Sequence, residues 1–375
     1  MNLFCLYHIE QFFLQHDPKR FRLDLSLKNY FKKNSALGSK DRKVLGNFAY
    51  KLCRYESLIE HVLQVKKLDP QNIREIDAFD PQNYLNDASI PLYIRYGFDK
   101  NFLEFLQKSL SEKDFLVFLG SVHQEAPLYA RSNPLKISRD DLVSLLKNHF
   151  PVQATELSPY GIRFEKRENF AALEPFKQGL IEIQDEASQL IAIHLNPKPK
   201  EAVCDFCAGS GGKSLLIGAL MQNQGQLFLH DVREKALIEA KKRLKRAGVQ
   251  NYQILNSSFS NKQFLHYFDR LLLDVPCSGT GTLRRNPDMK EKLCVEDIHE
   301  LISLQREIFS KAFPLIKPKG VILYATCSVL KEENQDQIAF FCQNYPVKKI
   351  GASFQTIPTE NGPDGFFCQL LQRET

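Results

Sequence analysis

From Ala202 onward, short apolar runs alternate with longer amphipathic segments. The apolar runs predict buried strands at Val203–Phe206, Leu227–Leu229, Tyr252–Leu255, Arg270–Leu273 and Val321–Tyr324, with a last strand over 365–371. The amphipathic segments predict helices near Lys213–Met221, Arg233–Ala247, Glu296–Phe313 and Glu332–Asn344. Strands that alternate with helices in this way indicate an α/β fold with a parallel or mostly parallel sheet.

The first third of the chain has a helical pattern instead. Its apolar positions recur at helical spacing, as in Leu45, Phe48 and Leu52. The following stretch mixes short β-type runs with helical ones, which indicates a small α+β module. A chain of 375 residues is long enough for three such parts. We predict an all-helical accessory domain over 1–120, the α+β module over 121–195 and the α/β domain over 196–375.

The composition of the chain limits which partners and which cellular compartment are expected for it. The net charge is +6, and two clusters, Lys19–Lys43 and Lys241–Arg246, hold much of the positive charge. Each cluster fits either a solvated helix face or a surface for a polyanion. The nine cysteines are scattered and odd in number, which is typical of a reducing compartment. No apolar run approaches the ~18 residues of a membrane span, and the first residues lack a secretory signal pattern. We therefore expect a cytoplasmic protein, with no membrane partner, that acts as a monomer.

A glycine-rich loop, Gly209–Gly212, lies between a predicted strand and a predicted helix. Such a loop lets the backbone approach a ligand in front of a helix N-terminus. Cys207 stands where a Walker A loop has glycine, and Ser214 stands at the last glycine of the dinucleotide motif. Asp231 follows the next strand and can accept hydrogen bonds from a ribose. These residues favour a ribose-containing cofactor without a phosphate chain, such as S-adenosylmethionine, over a turn that binds no ligand.

Two cysteines follow predicted strands at the same edge of the sheet. Cys277 comes shortly after Arg270–Leu273, and Cys327 comes shortly after Val321–Tyr324. Ligands of open α/β sheets bind at the edge where the carboxyl ends of the strands meet. The sequence therefore predicts one crevice that holds both thiols beside the cofactor loop. One thiol is a candidate nucleophile for covalent catalysis, and the spacing alone does not say which.

Several motifs of the chain resemble those of the RNA 5-methylcytosine methyltransferases of the Fmu/Sun family. They are Gln184–Ser188, Asp205–Lys213, Asp274–Gly281, Ala325–Val329 with Glu332–Asn334, and Asp364–Phe367. They occur in the family's order, from about residue 125 to the end of the chain. The resemblance implies a Rossmann-like methyltransferase domain with a mostly parallel seven-stranded sheet. It also implies S-adenosylmethionine as cofactor and RNA as substrate, with methylation at carbon 5 of cytosine.

The resemblance also implies roles for individual residues. Cys327 is expected to attack carbon 6 of cytosine, and Cys277 to assist release of the methylated product. In a rival assignment, taken from DNA cytosine methyltransferases, Cys277 attacks instead. Asp274 is expected to hydrogen-bond the cytosine ring, its alternative role being to cap the following loop. The residues expected to bind the cofactor are Cys207, Ala208, Gly209, Ser210, Gly211, Gly212, Lys213, Asp231, Asn256 and Asp274.

The chain departs from the family pattern at two points of the cofactor site. Gly209 and Ser210 stand where the family has Ala-Pro, so the fixed φ of proline is lost. The carboxylate that the family has after its third strand is missing, and Asn256 offers an uncharged acceptor for the adenine amino group. Both changes bear on cofactor affinity more than on the chemistry.

Other features of the sequence leave alternatives open. The adjacent Arg284 and Arg285 follow Cys277 and suit RNA phosphates, or they are ordinary surface residues. Cys204 and Cys207 have the spacing of a zinc or redox motif, but no second pair is near, and we expect no metal site.

The helical domain resembles, more weakly, the antitermination-factor-like RNA-binding domain of bacterial ribosomal-RNA members of the family. Ser39–Lys43 and Arg54 are the residues that carry this likeness. It favours 16S-type ribosomal RNA as the substrate. The alternatives are a transfer RNA cytosine-5 methyltransferase and a catalytically inactive RNA-binding factor of ribosome assembly.

Overall fold

The computed structural model describes residues 1–17, 21–65, 72–166, 170–255 and 261–375. It divides into two compact units. The helical unit consists of Met1–Glu125 and Thr282–Asp297, and the α/β unit consists of Ala126–Gly281 and Ile298–Thr375. The small module predicted over 121–195 is therefore grouped with the α/β domain, apart from its first residues. Within the described ranges, no helix is long and apolar enough to cross a membrane.

The helical unit has seven α-helices in its described residues. They are α1 (Leu3–Gln15), α2 (Leu23–Lys33), α3 (Ser39–Leu63), α4 (Ile73–Ala78), α5 (Leu92–Tyr96), α6 (Lys100–Ser109) and α7 (Glu112–Val122). Apolar residues at helical spacing form one buried cluster, which includes Phe12 of α1, Leu27 of α2 and Phe48 of α3. Helix α3 begins where the Asp41 carboxylate accepts a hydrogen bond from the Gly38 N–H at 3.0 Å.

The inserted segment Thr282–Asp297 is held in the helical unit by buried polar contacts. The Lys290 ammonium donates to the carbonyl oxygens of Arg54 at 2.8 Å and Tyr96 at 2.9 Å. Arg284 is only 1% exposed, so its side chain is buried and does not lie on the surface. The prediction that Arg284 suits RNA phosphates is therefore wrong, because a buried side chain does not reach a polyanion.

The α/β unit begins with a small antiparallel sheet. Its strands are β1 (Leu128–Ser132), β2 (Val152–Ala154), β3 (Gly161–Phe164) and β4 (Ile181–Ile183), in the order β2-β3-β1-β4. Helices α8 (Arg139–Lys147) and α9 (Glu174–Lys177) pack next to these strands, and α10 (Glu186–Leu195) leads into the main sheet.

The main sheet has seven strands in the order β10-β11-β9-β8-β5-β6-β7. They are β5 (Ala202–Asp205), β6 (Gln226–His230), β7 (Tyr252–Leu255), β8 (Phe268–Asp274), β9 (Ile316–Thr326), β10 (Val347–Gln355) and β11 (Phe367–Arg373). The helices between them are α11 (Gly212–Leu220), α12 (Glu234–Ala247), α13 (Val295–Ala312) and α14 (Gln335–Asn344). Strands β5 to β9 pair in parallel, whereas β11 runs antiparallel to both β9 and β10.

Both faces of the main sheet are covered by helices. Leu272 of β8 packs into a cluster with α10, α11 and α12, whereas its neighbours Leu271 and Leu273 pack with α13 and α14. A strand buried on both faces is apolar at nearly every position, which explains the continuous runs in the sequence. The predicted fold, a mostly parallel seven-stranded sheet with a helical N-terminal part, is confirmed.

Candidate active site

The loop between β5 and α11 has a backbone that only glycine adopts readily. Gly209 has φ +53° and Gly211 has φ +78°, both in the left-handed region. A Cβ atom on Gly211 would lie 3.0 Å from the Cβ atom of Ala240 in α12. The N–H of Ala208 donates to the carbonyl oxygen of His230 at 2.8 Å, which ties the loop to the end of β6. These contacts hold the loop in front of the first turn of α11.

Asp231 follows β6 and binds the same loop. Its carboxylate accepts hydrogen bonds from the Gly209 N–H at 2.8 Å, the Arg233 N–H at 2.8 Å and the Arg233 Nε at 3.0 Å. Burial raises the pKa of Asp231, but the hydrogen bonds from Arg233 and Gly209 together lower it below its ordinary value. The side chain is therefore a charged acceptor, as recognition of a ribose hydroxyl requires.

Asp205 is a further candidate site residue, which the sequence prediction did not include. It ends β5, is 1% exposed and accepts a hydrogen bond from the Ser214 hydroxyl at 2.6 Å. Burial raises its pKa to about 7. Its other oxygen, Oδ1, has no hydrogen-bond partner, which is uncommon for a buried polar atom. A free acceptor beside the glycine loop fits a bound polar ligand, and the residue's place at the head of the Asp205–Lys213 motif was the available signal.

Ser210, which replaces the family's proline, has a partner of its own. The Arg243 guanidinium donates to the Ser210 carbonyl oxygen at 2.8 Å and to its hydroxyl at 2.7 Å. Arg243 and Arg246 also form salt bridges with Glu182 of β4, at 3.1 and 2.6 Å. This network restrains the loop where proline is missing. Both arginines of the second basic cluster, Arg243 and Arg246, are therefore paired inside the α/β unit.

A buried arginine, Arg131 of β1, supports the start of α11. Its side chain donates to the Gln184 amide oxygen at 2.6 Å and to the Gly212 carbonyl oxygen at 3.3 Å. Burial lowers its pKa to about 10, so it stays charged at neutral pH. Gln184 belongs to a motif noted in the sequence. Its hydrogen bond with Arg131 could not be predicted from that motif, because it depends on how the small sheet folds.

Lys213 and Asp274 connect the start of α11, next to the glycine loop, to the end of β8. The Lys213 ammonium lies 2.7 Å from the Asp274 carboxylate, and the two side chains are 11% and 27% exposed. Burial lowers the pKa of Lys213, but Asp274, with smaller contributions from Cys327 and Asp205, raises it above its usual value. The lysine is therefore charged, and the more exposed carboxylate is oriented by it while still accessible to a ligand.

The two cysteines named from the sequence lie side by side. Strands β8 and β9 pair with Asp274 opposite Ala325, and the loops after them bring Cys277 Sγ to 3.3 Å from Cys327 Sγ. The hydrogen bond with Cys327 raises the pKa of Cys277 most, and burial and the charges of Cys327 and Glu333 raise it further. The raised pKa favours the protonated form of Cys277. The two sulfurs lie within hydrogen-bond distance, and the Cys327 backbone N–H also donates to Cys277 Sγ at 3.3 Å.

Close backbone packing joins the two cysteine loops to the terminal motif. The Gly281 N–H donates to the Cys327 carbonyl oxygen at 2.9 Å, and the Gly365 N–H donates to the Gly281 carbonyl oxygen at 2.8 Å. A side chain on Gly281 would clash with the carbonyl group of Gly365. Three motifs that lie far apart in the sequence therefore meet at one point.

The remaining predicted positions are placed as follows. Cys207 lies in the glycine loop, where burial raises its pKa well above the ordinary value. Cys204 is fully buried in β5, and no cluster of potential metal ligands is found within the part of the chain that the structure describes. Asn256 lies outside the described residues, as do Lys19 and Arg20 of the first basic cluster.

The sequence of this chain is similar to those of known ribosomal RNA methyltransferases. A family model described as 16S rRNA methyltransferase RsmB/F matches residues 192–372. Ribosomal RNA small subunit methyltransferase B of Proteus mirabilis (strain HI4320) is 33% identical over 255 residues, which are 67% of this chain and 60% of that protein. Its namesake in Vibrio vulnificus (strain YJ016) is 32% identical over 311 residues, or 80% and 71% of the two chains.

A solved structure extends the likeness to nearly the whole chain. The crystal structure of PH0851 superposes with a TM-score of 0.81 at 25% identity, and covers 99% of this chain and 97% of that one. The chain spans 60% of the length of the Proteus mirabilis relative and 71% of that from Vibrio vulnificus. The predicted family is confirmed by these matches: the chain belongs to the 16S rRNA methyltransferase RsmB/F family.

Proposed function

We propose that this protein methylates carbon 5 of a cytosine in 16S-type ribosomal RNA, with S-adenosylmethionine as the methyl donor. The observation that carries the proposal is the pair of thiols, 3.3 Å apart, in the loops after β8 and β9, next to the β8 end where Asp274 pairs with Lys213 of α11. The names of the relatives support ribosomal RNA over transfer RNA. All nine cysteines are free thiols, which supports a cytoplasmic location.

The residues around the glycine loop fit the cofactor. The loop Gly209–Gly212 would hold it at the N-terminus of α11, Asp231 would bind the ribose, and the free Oδ1 of Asp205 supplies a further acceptor. We assign the adenine contact to Asn256 or a neighbour, in place of the family's carboxylate. When bound there, S-adenosylmethionine supplies an electrophilic methyl group.

Cys327 makes carbon 5 of cytosine reactive. In the proposed mechanism its thiolate adds to carbon 6 of the ring, and electron density moves to carbon 5 as the sulfur–carbon bond forms. Covalent addition of this kind splits one difficult step into two easier ones. Asp274, oriented by Lys213, accepts a hydrogen bond from the amino edge of the cytosine and holds the ring against the sulfur. A paired cytosine has to leave its stack to reach this site.

Cys277 then releases the product. Once Cys327 is bonded to carbon 6, its sulfur is a neutral thioether. The hydrogen bond and the charge of Cys327, which both raise the Cys277 pKa, are then weakened or lost, so Cys277 gives its proton to solvent more readily. The Cys277 thiolate takes the proton from the methylated carbon 5. The electrons of that carbon–hydrogen bond form the carbon 5–carbon 6 double bond, and Cys327 leaves as a thiolate.

The direct test is methyl transfer in vitro with labelled S-adenosylmethionine. We expect the purified protein to label 16S ribosomal RNA from cells that lack the enzyme, and bisulfite sequencing to find 5-methylcytosine there. Bulk transfer RNA serves as the matched control substrate and should stay unlabelled. Labelling of transfer RNA alone would establish the transfer RNA alternative. Calorimetric binding of the cofactor without methylation of either RNA would indicate an assembly factor.

We propose that the helical unit binds the RNA through a cleft between α2 and α3. The cleft has a volume of about 640 Å³ and is lined by Asp24, Leu27, Lys28, Phe31, Lys32, Ser35, Arg42 and Tyr50. The Arg42 guanidinium lies 5.7 Å from the centre of the Phe31 ring. Exposed cations next to half-buried aromatic rings suit a single-stranded segment, with phosphates on the lysines and bases on the rings.

Removing charge from this cleft should weaken RNA binding in a salt-dependent way. For Lys28→Gln with Lys32→Gln, the slope of log K against log salt should fall by about 1.4, the value for two phosphate contacts on a single strand. Filter binding across a salt series measures it. The control, Lys100→Gln with Lys113→Gln, removes two exposed charges from α6 and α7 and should leave the slope unchanged. Equal slopes for the two double variants would contradict the proposal that RNA binds in this cleft.

A further inference from the structure

Two adjacent residues, Glu333 and Asn334, lie behind the two cysteine loops. Both have 0% of their surface exposed. They lie at the end of the short 3-10 helix Lys331–Glu333, between β9 and α14. A buried carboxylate and a buried amide are costly unless all their hydrogen bonds are made. The partners of each residue therefore indicate what it holds in place.

Glu333 holds both chain neighbours of Cys277. Its Oε1 accepts a hydrogen bond from the Ser278 N–H at 2.9 Å, and its Oε2 accepts one from the Ser278 hydroxyl at 2.5 Å. On the other side, the Gln305 amide nitrogen donates to the Pro276 carbonyl oxygen at 3.1 Å and to Glu333 Oε1 at 2.9 Å. The carboxylate thus binds the residue after Cys277 directly and the residue before it through Gln305.

Asn334 hydrogen-bonds to both chain neighbours of Cys327. Its Oδ1 accepts a hydrogen bond from the Thr326 hydroxyl at 2.5 Å, and its Nδ2 donates to the Ser328 carbonyl oxygen at 2.9 Å. The residues on either side of Cys327 are thus bound by one amide. Because Glu333 and Asn334 are consecutive, the contacts with the chain neighbours of both cysteines come from one short stretch of backbone.

Hydroxyl groups join the two halves of this arrangement. The Ser328 hydroxyl lies 3.2 Å from that of Ser278 and 3.1 Å from that of Thr280. The Tyr324 hydroxyl lies 2.8 Å from the Glu333 carbonyl oxygen and 3.0 Å from the Gln305 amide oxygen, and its one proton serves these two acceptors. Such buried networks rigidify a site when every member is satisfied.

We propose that Glu333 and Asn334 are positioning residues, each dedicated to one thiol. Glu333 places Cys277 for release of the product, and Asn334 places Cys327 for attack on the base. The inference rests on the proposed covalent mechanism and adds a division of labour to it. Loss of one residue should therefore impair one step and leave the other largely intact.

The two residues are expected to give opposite kinetic signatures. Glu333→Ala should slow decay of the covalent protein–RNA adduct about 10²-fold, the cost of misplacing a reacting group by ~1 Å. Adduct should then accumulate during turnover. Asn334→Ala should slow adduct formation by a similar factor, so that no adduct accumulates. Glu333→Gln should restore much of the decay rate, because its amide oxygen still accepts from Ser278 and Gln305.

Single-turnover reactions with labelled RNA, quenched in denaturant and resolved on gels, measure both rates. Asp336→Ala, which removes an exposed carboxylate two residues after Asn334, is the matched control and should behave as wild type. Cofactor binding and thermal unfolding show which variants are folded. If an alanine variant does not fold, Gln305→Met frees Pro276 on the Cys277 side and Thr326→Val removes the donor on the Cys327 side. Each keeps most of the side-chain volume.

The outcomes separate the inference from the function on which it rests. Slow decay with Glu333→Ala or Gln305→Met, and slow formation with Asn334→Ala or Thr326→Val, would support the division of labour. The same step lost in both pairs of variants, or rates like wild type in folded variants, would overturn it. A wild-type protein that neither methylates RNA nor forms an adduct would contradict the proposed function itself.

Discussion

Replacement of Cys327 by alanine should abolish methylation of RNA, by on the order of 10⁵-fold or more, as removal of a nucleophile does in other covalent enzymes. Without this sulfur nothing adds to carbon 6, and carbon 5 stays a poor nucleophile. The remaining site should persist, because the Lys213–Asp274 pair and the Gly209–Asp231 hydrogen bond do not involve the thiol. Incorporation of labelled methyl groups into 16S ribosomal RNA measures the loss.

The matched control for this variant is Cys342→Ala. Cys342 is a half-buried cysteine of α14 that packs against the hydrophobic core and carries no role in the mechanism. Its variant should methylate RNA like the wild type. A Cys327→Ala protein that is folded, binds the cofactor and still methylates RNA at more than a trace would refute the assignment of the nucleophile.

Replacement of Cys277 by alanine should have a different effect, namely accumulation of a covalent protein–RNA adduct. Attack by Cys327 does not need the second sulfur, whereas removal of the proton from carbon 5 does. Loss of a general base slows its step by about 10²- to 10⁴-fold. A denaturation-resistant, protease-sensitive band of labelled RNA should therefore appear with this variant during turnover.

The double variant Cys277→Ala with Cys327→Ala is the control for the adduct. It should give no such band, because both sulfurs that could bond to the ring are missing. Fast, complete turnover by the single Cys277→Ala variant would contradict the release role. If folded Cys277→Ala protein gave neither product nor adduct, Cys277 would be the nucleophile, as in the rival assignment taken from DNA cytosine methyltransferases.

Much of the α/β unit follows from its sequence because its strands are buried on both faces. The run Tyr252–Leu255 is a strand with the predicted bounds, and β9 extends the predicted Val321–Tyr324 at both ends. Strand β10 was not predicted. Lys348 and Lys349 in it are exposed, as are Gly351, Ala352 and Ser353, because β10 is an edge strand. An edge strand with few buried side chains leaves little apolar pattern to detect.

Some features of the candidate site also follow from the sequence, whereas others depend on contacts that only the folded structure shows. Parallel strands bring Cys277, Cys327 and the glycine loop to one edge, so their meeting follows from topology. The burial of Arg284 and the internal ion pairs of Arg243 depend on which surfaces the fold covers. Charge in a sequence does not reveal that, and neither arginine was recognised as internal. Glu333 was noticed only as part of a motif, since its partners come from distant loops.

The central claim is that the Cys327 sulfur bonds to carbon 6 of an RNA cytosine. Wild-type protein, S-adenosylmethionine and RNA that contains 5-fluorocytosine test it directly, because fluorine at carbon 5 leaves no proton to remove and the adduct persists. Tandem mass spectrometry of the digested adduct then locates the nucleotide on the chain. The mechanism predicts that the nucleotide is attached to Cys327. Attachment to Cys277, or to any other residue, would contradict it.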